Sequence, residues 1–307
     1  MNRSELKNFI RGTIVTIPTA FDDQYRLDLG RMAELTRWWI AQGLGTNTAP
    51  LKVAAAMGEG PDLSDDEWPA LLRTVVDAAG PKAVVLCALK TKNTLHTIDD
   101  AKRAADLGAV GLQIDLPVFH HSNQDDYVRY FSDISDKIDI GIMIYNTYWF
   151  GVPSLTAETM LRLKDAEHVV ALKWAVPDDV DYDSMTRFAH IFNVIDNSNQ
   201  PVRCHKNGGA GYISSLVAAY PAHDLLIWRL LEAGRYDQAQ AEIDRVESVL
   251  GPVRAKAAAV SGGYRFFKGL TAALGRPAGP PRPPTLPMSE AEIAELRQAV
   301  RTLGWLQ

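Results

Sequence analysis

The 307-residue chain is 47% apolar and 22% charged, enough apolar material for a large core and unlike fibrous, mucin-like or wholly disordered chains. Its net charge of −5 comes from interspersed acids and bases, which excludes the positive field that nucleic acid or an anionic lipid surface demands. No apolar run approaches the roughly 20 residues that span a bilayer, so the expectation is a cytoplasmic protein with neither a nucleic-acid nor a membrane partner.

Short runs rich in Val, Ile and Ala recur along the chain, each bounded by turn residues, as parallel strands covered on both faces require. They are Thr13–Ile17, Leu51–Met57, Ala83–Leu89, Val110–Leu116, Ile140–Asn146, Val169–Trp174, Asn193–Asn197 and Gly211–Ser214. Amphipathic stretches lie between them: Leu29–Gln42, Asp65–Ala79, Thr94–Leu107 and Gln124–Lys137 carry apolar residues at helical spacing. Ser64 before Asp65-Asp66-Glu67 supplies a capping side chain followed by acids, a helix start.

Eight strand-helix repeats argue for closure into a (β/α)8 TIM barrel, which takes about 250 residues. The first run is followed by Pro18-Thr19-Ala20 and lacks the glycines of a dinucleotide-binding turn. Beyond residue 222 only helices are expected, over Leu225–Ala233, Tyr236–Val249, Tyr264–Leu274 and Glu290–Leu303, with Gly275–Pro287 a stiff proline-rich connector. The expected organisation is a barrel over 1–222 and a C-terminal helical extension over 223–307. Cys87 and Cys204 lack paired spacing and read as buried thiols, with no metal site expected.

Reactive side chains of such barrels project from the C-terminal strand ends. Lys173 follows Val169-Val170-Ala171-Leu172 and precedes Trp174, an apolar setting in which an amine lowers its pKa and becomes a nucleophile toward carbonyls. Tyr145 ends the preceding run and is placed to move the protons of carbinolamine formation and dehydration. The loop Met57-Gly58-Glu59-Gly60 is suited to turning backbone N–H groups toward a substrate carboxylate.

In order and spacing these pieces resemble the dihydrodipicolinate synthase and N-acetylneuraminate lyase family of Schiff-base barrels. The resemblance runs through Gly12-Thr13-Ile14-Val15, Thr19, Gly58-Glu59, Leu63-Ser64, Pro117, Tyr145-Asn146, Lys173 and Gly208-Gly209-Ala210-Gly211-Tyr212-Ile213-Ser214. It implies a lyase with no cofactor, in which Lys173 forms the imine, Tyr145 shuttles protons and the turn at Gly58 cradles a pyruvate-like carboxylate. It also implies a homodimer or homotetramer, in which Phe119, where many members carry a tyrosine, reaches the neighbouring subunit. The substrate-binding set on this reading is Met57, Gly58, Glu59, Phe119 and His120, with Tyr148, Trp149, Asp196 and Ile213.

The departures bear on substrate. The family's Gly-Thr-Thr-Gly-Glu loop reads Ala55-Ala56-Met57-Gly58-Glu59, so two hydroxyls are gone, and Phe119 removes a third. Where the synthase offers an arginine, this chain has Thr147-Tyr148-Trp149-Phe150-Gly151, which favours a flat, uncharged partner over a carboxylate. The expectation is a 2-oxo acid aldolase or hydratase-aldolase, not dihydrodipicolinate synthase itself. A 2-oxo acid dehydratase using the same lysine and a non-catalytic binding or regulatory barrel stay open as alternatives. His120 and His121 are candidates for the missing relay, and Arg203, His205 and Lys206 are read as solvated charges or as a replacement cation.

Overall fold

The computed structural model describes residues 1–119 and 121–306. His120, assigned to the substrate set, lies outside the described residues. Among those described, the strands are β1 (Gly12–Thr16), β2 (Leu51–Val53), β3 (Val85–Leu89), β4 (Gly111–Asp115), β5 (Gly141–Tyr145), β6 (Val169–Trp174), β7 (Asn193–Asp196) and β8 (Gly211–Ser214). They close in sequence order into a barrel, as the eight runs predict. β2 stops early because Ala54 takes φ 55°, a left-handed conformation that no ladder continues.

Helices cover the strands: α1 (Arg3–Lys7), α2 (Leu29–Ala41), α3 (Glu67–Ala79), α4 (Thr94–Asp106), α5 (Gln124–Ser135), α6 (Ala157–Arg162) and α7 (Pro201–Lys206). After β8 the chain is helical, with α8 (Pro221–Glu232), α9 (Tyr236–Val260), α10 (Tyr264–Ala273) and α11 (Glu290–Thr302). Capping follows the sequence. Ser64 Oγ accepts from the Glu67 N–H at 3.2 Å while Glu67 accepts from the Ser64 N–H at 2.8 Å, the reciprocal box that fixes the start of α3. Where Tyr236–Val249 was expected, α9 runs on through Pro252 to Val260. Val246, Leu250, Val253 and Ala257 keep one face buried across the proline, and this packing outweighs the lost hydrogen bond.

The chain packs as two compact units, Met1–Ile14 with Gly45–Lys52 and Lys82–Ile213, and Val15–Leu44 with Val53–Pro81 and Ser214–Gln307. In the first, Leu6 and Ile10 are fully buried against Ile14, Leu86, Met143 and Val170, each such side chain contributing about 1.5–3 kcal/mol. Gly12 (φ 77°) lies so close to Thr48 that a Cβ would stand 2.0 Å from its carbonyl oxygen, so only glycine fits. In the second, α9, α10 and α11 share a core of Val246, Leu250, Phe266, Leu270, Leu296 and Val300. No helix among the described residues is long and apolar enough to cross a membrane.

Candidate active site

Three neighbouring strands end in one row. Asp115 at the end of β4 pairs in register with Tyr145 at the end of β5, and Tyr145 pairs with Lys173 on β6. In-register residues of parallel strands point to the same face, so the three side chains share one side of the sheet. Lys173 is 6% exposed, and its Nζ lies 3.3 Å from the centroid of the Tyr145 ring. Lys173 and Tyr145 are thus brought together as expected, although the amine meets the face of the ring rather than its hydroxyl.

Among the described residues the Lys173 amine makes no ion pair or side-chain hydrogen bond. Burial holds it well below the usual lysine range, the charge of Lys52 pushes it further down, and Asp115 opposes both. Burial likewise raises the Tyr145 phenol, helped by the Asp115 charge and opposed by a hydrogen bond with Asn197. A lowered amine pKa and an un-ionised phenol both favour carbonyl addition.

Lys52, Gln113 and Asp115 were missed from the sequence. Lys52 is fully buried and donates from Nζ to Gln113 Oε1 at 2.9 Å; its pKa is lowered to about 7 by burial, with Asp115 opposing. Asp115 is raised to about 6, first by burial, against the charges of Lys173 and Lys52 and hydrogen bonds with Gln113 and Thr91. A signal was present: a lysine inside Leu51-Lys52-Val53, and polar residues at alternate positions in Gln113-Ile114-Asp115, put charge on the inward face of apolar strands.

Outward from Tyr145 runs a chain of rings. Tyr145 and Trp149 meet edge to face at 5.2 Å, Trp149 and Tyr148 at 5.0 Å, and Phe150 lies 6.3 Å from Trp149. Asn146 anchors this loop: its Nδ2 donates to Ala175 O at 2.8 Å and Ser154 Oγ at 2.9 Å, and its Oδ1 accepts from Leu155 N–H. Trp149 and Phe150 are 43% and 58% exposed, so the rings end in solvent.

The sequence pattern of the dihydrodipicolinate synthetase family matches residues 9–303. The chain belongs to this family. It is a lyase of the Schiff-base aldolase class. It is 28% identical to a 4-hydroxy-tetrahydrodipicolinate synthase of an Exiguobacterium species, over 94% of this chain and 96% of that one. The dihydrodipicolinate synthase structure from Thermotoga maritima superposes with a TM-score of 0.83 at 26% identity, covering 97% of this chain and all of that one. A monomeric dihydrodipicolinate synthase variant gives 0.84 at 25% identity, over 97% and 98% of the two chains.

The structure gives the other residues of the expected substrate set the following surroundings. The turn at residues 56–58 forms, and a Cβ on Gly58 would stand 2.3 Å from Ile17 O. Within this turn the Gly58 and Glu59 amides donate to Ala55 O and Ala56 O. The Glu59 side chain pairs with Lys268 Nζ at 2.7 Å and accepts from the Arg282 N–H at 2.9 Å, which commits it to the fold.

The Asp196 carboxylate accepts from Tyr182 OH at 2.7 Å and from the Ser198 and Gln200 N–H groups, which hold it in place. Ile213 packs against the Leu6 and Ile10 cluster. Phe119 is 80% exposed, beside Lys92, Asn93 and Tyr130. Arg203 pairs with Asp183 at 2.8 Å. Cys87 and Cys204 are free and buried, as expected.

Proposed function

We propose that Lys173 attacks C2 of a 2-oxo acid and forms a Schiff base, and that the reaction is an aldol cleavage or hydration-cleavage releasing an aromatic or apolar aldehyde. One observation carries this reading: an unpaired buried amine at a strand end, lowered in pKa, against Tyr145. The iminium nitrogen draws the electron pair when the C3–C4 bond breaks. The C4 hydroxyl gives up its proton as the aldehyde forms, the resulting enamine takes a proton at C3, and hydrolysis returns pyruvate and the free amine. Tyr145 is the shuttle for the protons of imine formation.

The partner class follows from the ring series Tyr145, Trp149, Tyr148 and Phe150. Offset and edge-to-face contacts hold an aryl group better than a carboxylate, so synthesis of dihydrodipicolinate is not the activity proposed. The proposed assembly is a homodimer or homotetramer, supported by the exposed Phe119, and light scattering tests it.

Borohydride reduction with pyruvate tests the nucleophile. The reduced adduct is expected on the peptide carrying Lys173 and absent from Lys173→Ala; an unlabelled wild-type protein across a panel of 2-oxo acids defeats the proposal. Products from aryl-substituted unsaturated 2-oxo acids test the subtype. An aryl aldehyde with pyruvate supports it, whereas loss of water alone from the corresponding 4-hydroxy-2-oxo acid identifies a dehydratase.

A further inference from the structure

We infer that Asp115 donates the proton that dehydrates the carbinolamine, working beside the Tyr145 shuttle and in place of the absent hydroxyls, and that Lys52 and Gln113 hold it in position. The inference deepens the Lys173 reading and rests on it. Three observations place Asp115. It shares one register row with Tyr145 and Lys173, through β5. Its Oδ1 is buried without a hydrogen-bond partner, an uncommon and costly state for a carboxyl oxygen unless something else occupies the position. Its remaining polar contacts, Gln113 and Thr91, fix the group, and Gln113 is in turn held by Lys52.

The groups around it are Lys52 from β2, Thr91 after β3, Gln113 on its own strand, Tyr130 from α5, Tyr145 from β5 and Lys173 from β6. Lys52 donates to Gln113 and Tyr130 shares a hydrogen bond with Thr97; the Tyr145 phenol is engaged by Asn197. A carboxyl raised to about 6 exchanges protons readily near neutral pH.

The step balances as follows. Lys173 Nζ bonds to C2, one N–H proton passes to the carbonyl oxygen, and the neutral carbinolamine forms. Protonated Asp115 then gives its proton to the carbinolamine hydroxyl, the C2–O bond breaks and water leaves. A neutral carboxylic acid and a neutral carbinolamine become a carboxylate and an iminium, so net charge is unchanged and the two new charges lie in one row. Returning through the same route, the carboxylate takes the proton back on hydrolysis.

The test is the rate of borohydride trapping with pyruvate, followed from pH 5 to 9. Asp115→Asn is expected to slow adduct formation about 100-fold and to lose the titration near 6, while the adduct on Lys173 still forms at long times. In Asp115→Ala, added formate is expected to restore the rate, which a purely structural role would not allow. Trapping by Asp115→Asn at the wild-type rate and with the wild-type pH profile overturns the inference and leaves the Lys173 reading standing. If circular dichroism shows that Asp115→Asn does not fold, the formate arm decides, and no acceleration overturns it. No adduct on wild-type Lys173 with any 2-oxo acid removes both readings together.

Discussion

An ammonium group taken out of water costs several kcal/mol unless it sheds its proton, and Lys52 places such a group inside the first unit's sheet. Its folded pKa of about 7 lies below the unfolded value of about 10.4. The unfolded chain therefore binds more protons between these limits, and stability rises with pH through that window. The penalty is present in full below about 7. Lys52→Met removes a penalty of about 4 kcal/mol at pH 7, while stranding Gln113 Oε1 costs about 1–3 kcal/mol. The expected net gain is about 1–3 kcal/mol at pH 7, shrinking toward pH 10, read from urea midpoints. Equal destabilisation at both pH values would show that Lys52 is buried without penalty. A gain in stability with slower imine trapping is the trade expected of a residue kept for function.

Elements obey their own rules. The Ser64 and Glu67 exchange at the head of α3 satisfies two backbone donors, so Ser64→Ala is expected to cost about 1 kcal/mol in a denaturant titration, with the imine chemistry untouched. In the loop after β5 the aromatic rings are packed on one another rather than into a core. Trp149→Ala is expected to raise KM for an aryl-substituted 2-oxo acid about 10-fold, the worth of one aromatic contact near 1.4 kcal/mol. Borohydride trapping of pyruvate should not change, because pyruvate has no ring to place there. A loss of pyruvate trapping in this variant would mean that Trp149 supports Tyr145 and Lys173 instead of the partner.

At the scale of the molecule, single buried guanidiniums tie distant segments of the second unit. Arg265 is 2% exposed and donates to Ala257 O, Leu286 O, Pro287 O and both oxygens of Glu292. It therefore joins the end of α9, the proline-rich connector and the start of α11. Arg265→Met leaves Glu292 and three carbonyls without their donor, and a loss of about 3–5 kcal/mol is expected. The measurement is limited proteolysis: cleavage within residues 275–287 should appear at urea concentrations where the wild type resists. A cleavage pattern identical to wild type would show that the apolar core of α9, α10 and α11 holds the unit unaided.

The linear sequence determined the barrel, because strand and helix periodicities are local and β6 and β8 came out at their expected limits. It also singled out Lys173 and Tyr145, since each is a reactive side chain closing an apolar run, and the fold sets the two side by side. Tertiary structure decided what those residues face. The entry of Lys52 and Asp115 follows from strand register, which sets side chains 61 residues apart at 2.9 Å, whereas Glu59 reaches Lys268 from the turn after β2. Register depends on how a sheet closes on itself, and a one-residue shift would send every one of these groups to the opposite face; that choice is made by the packed whole and by no single segment.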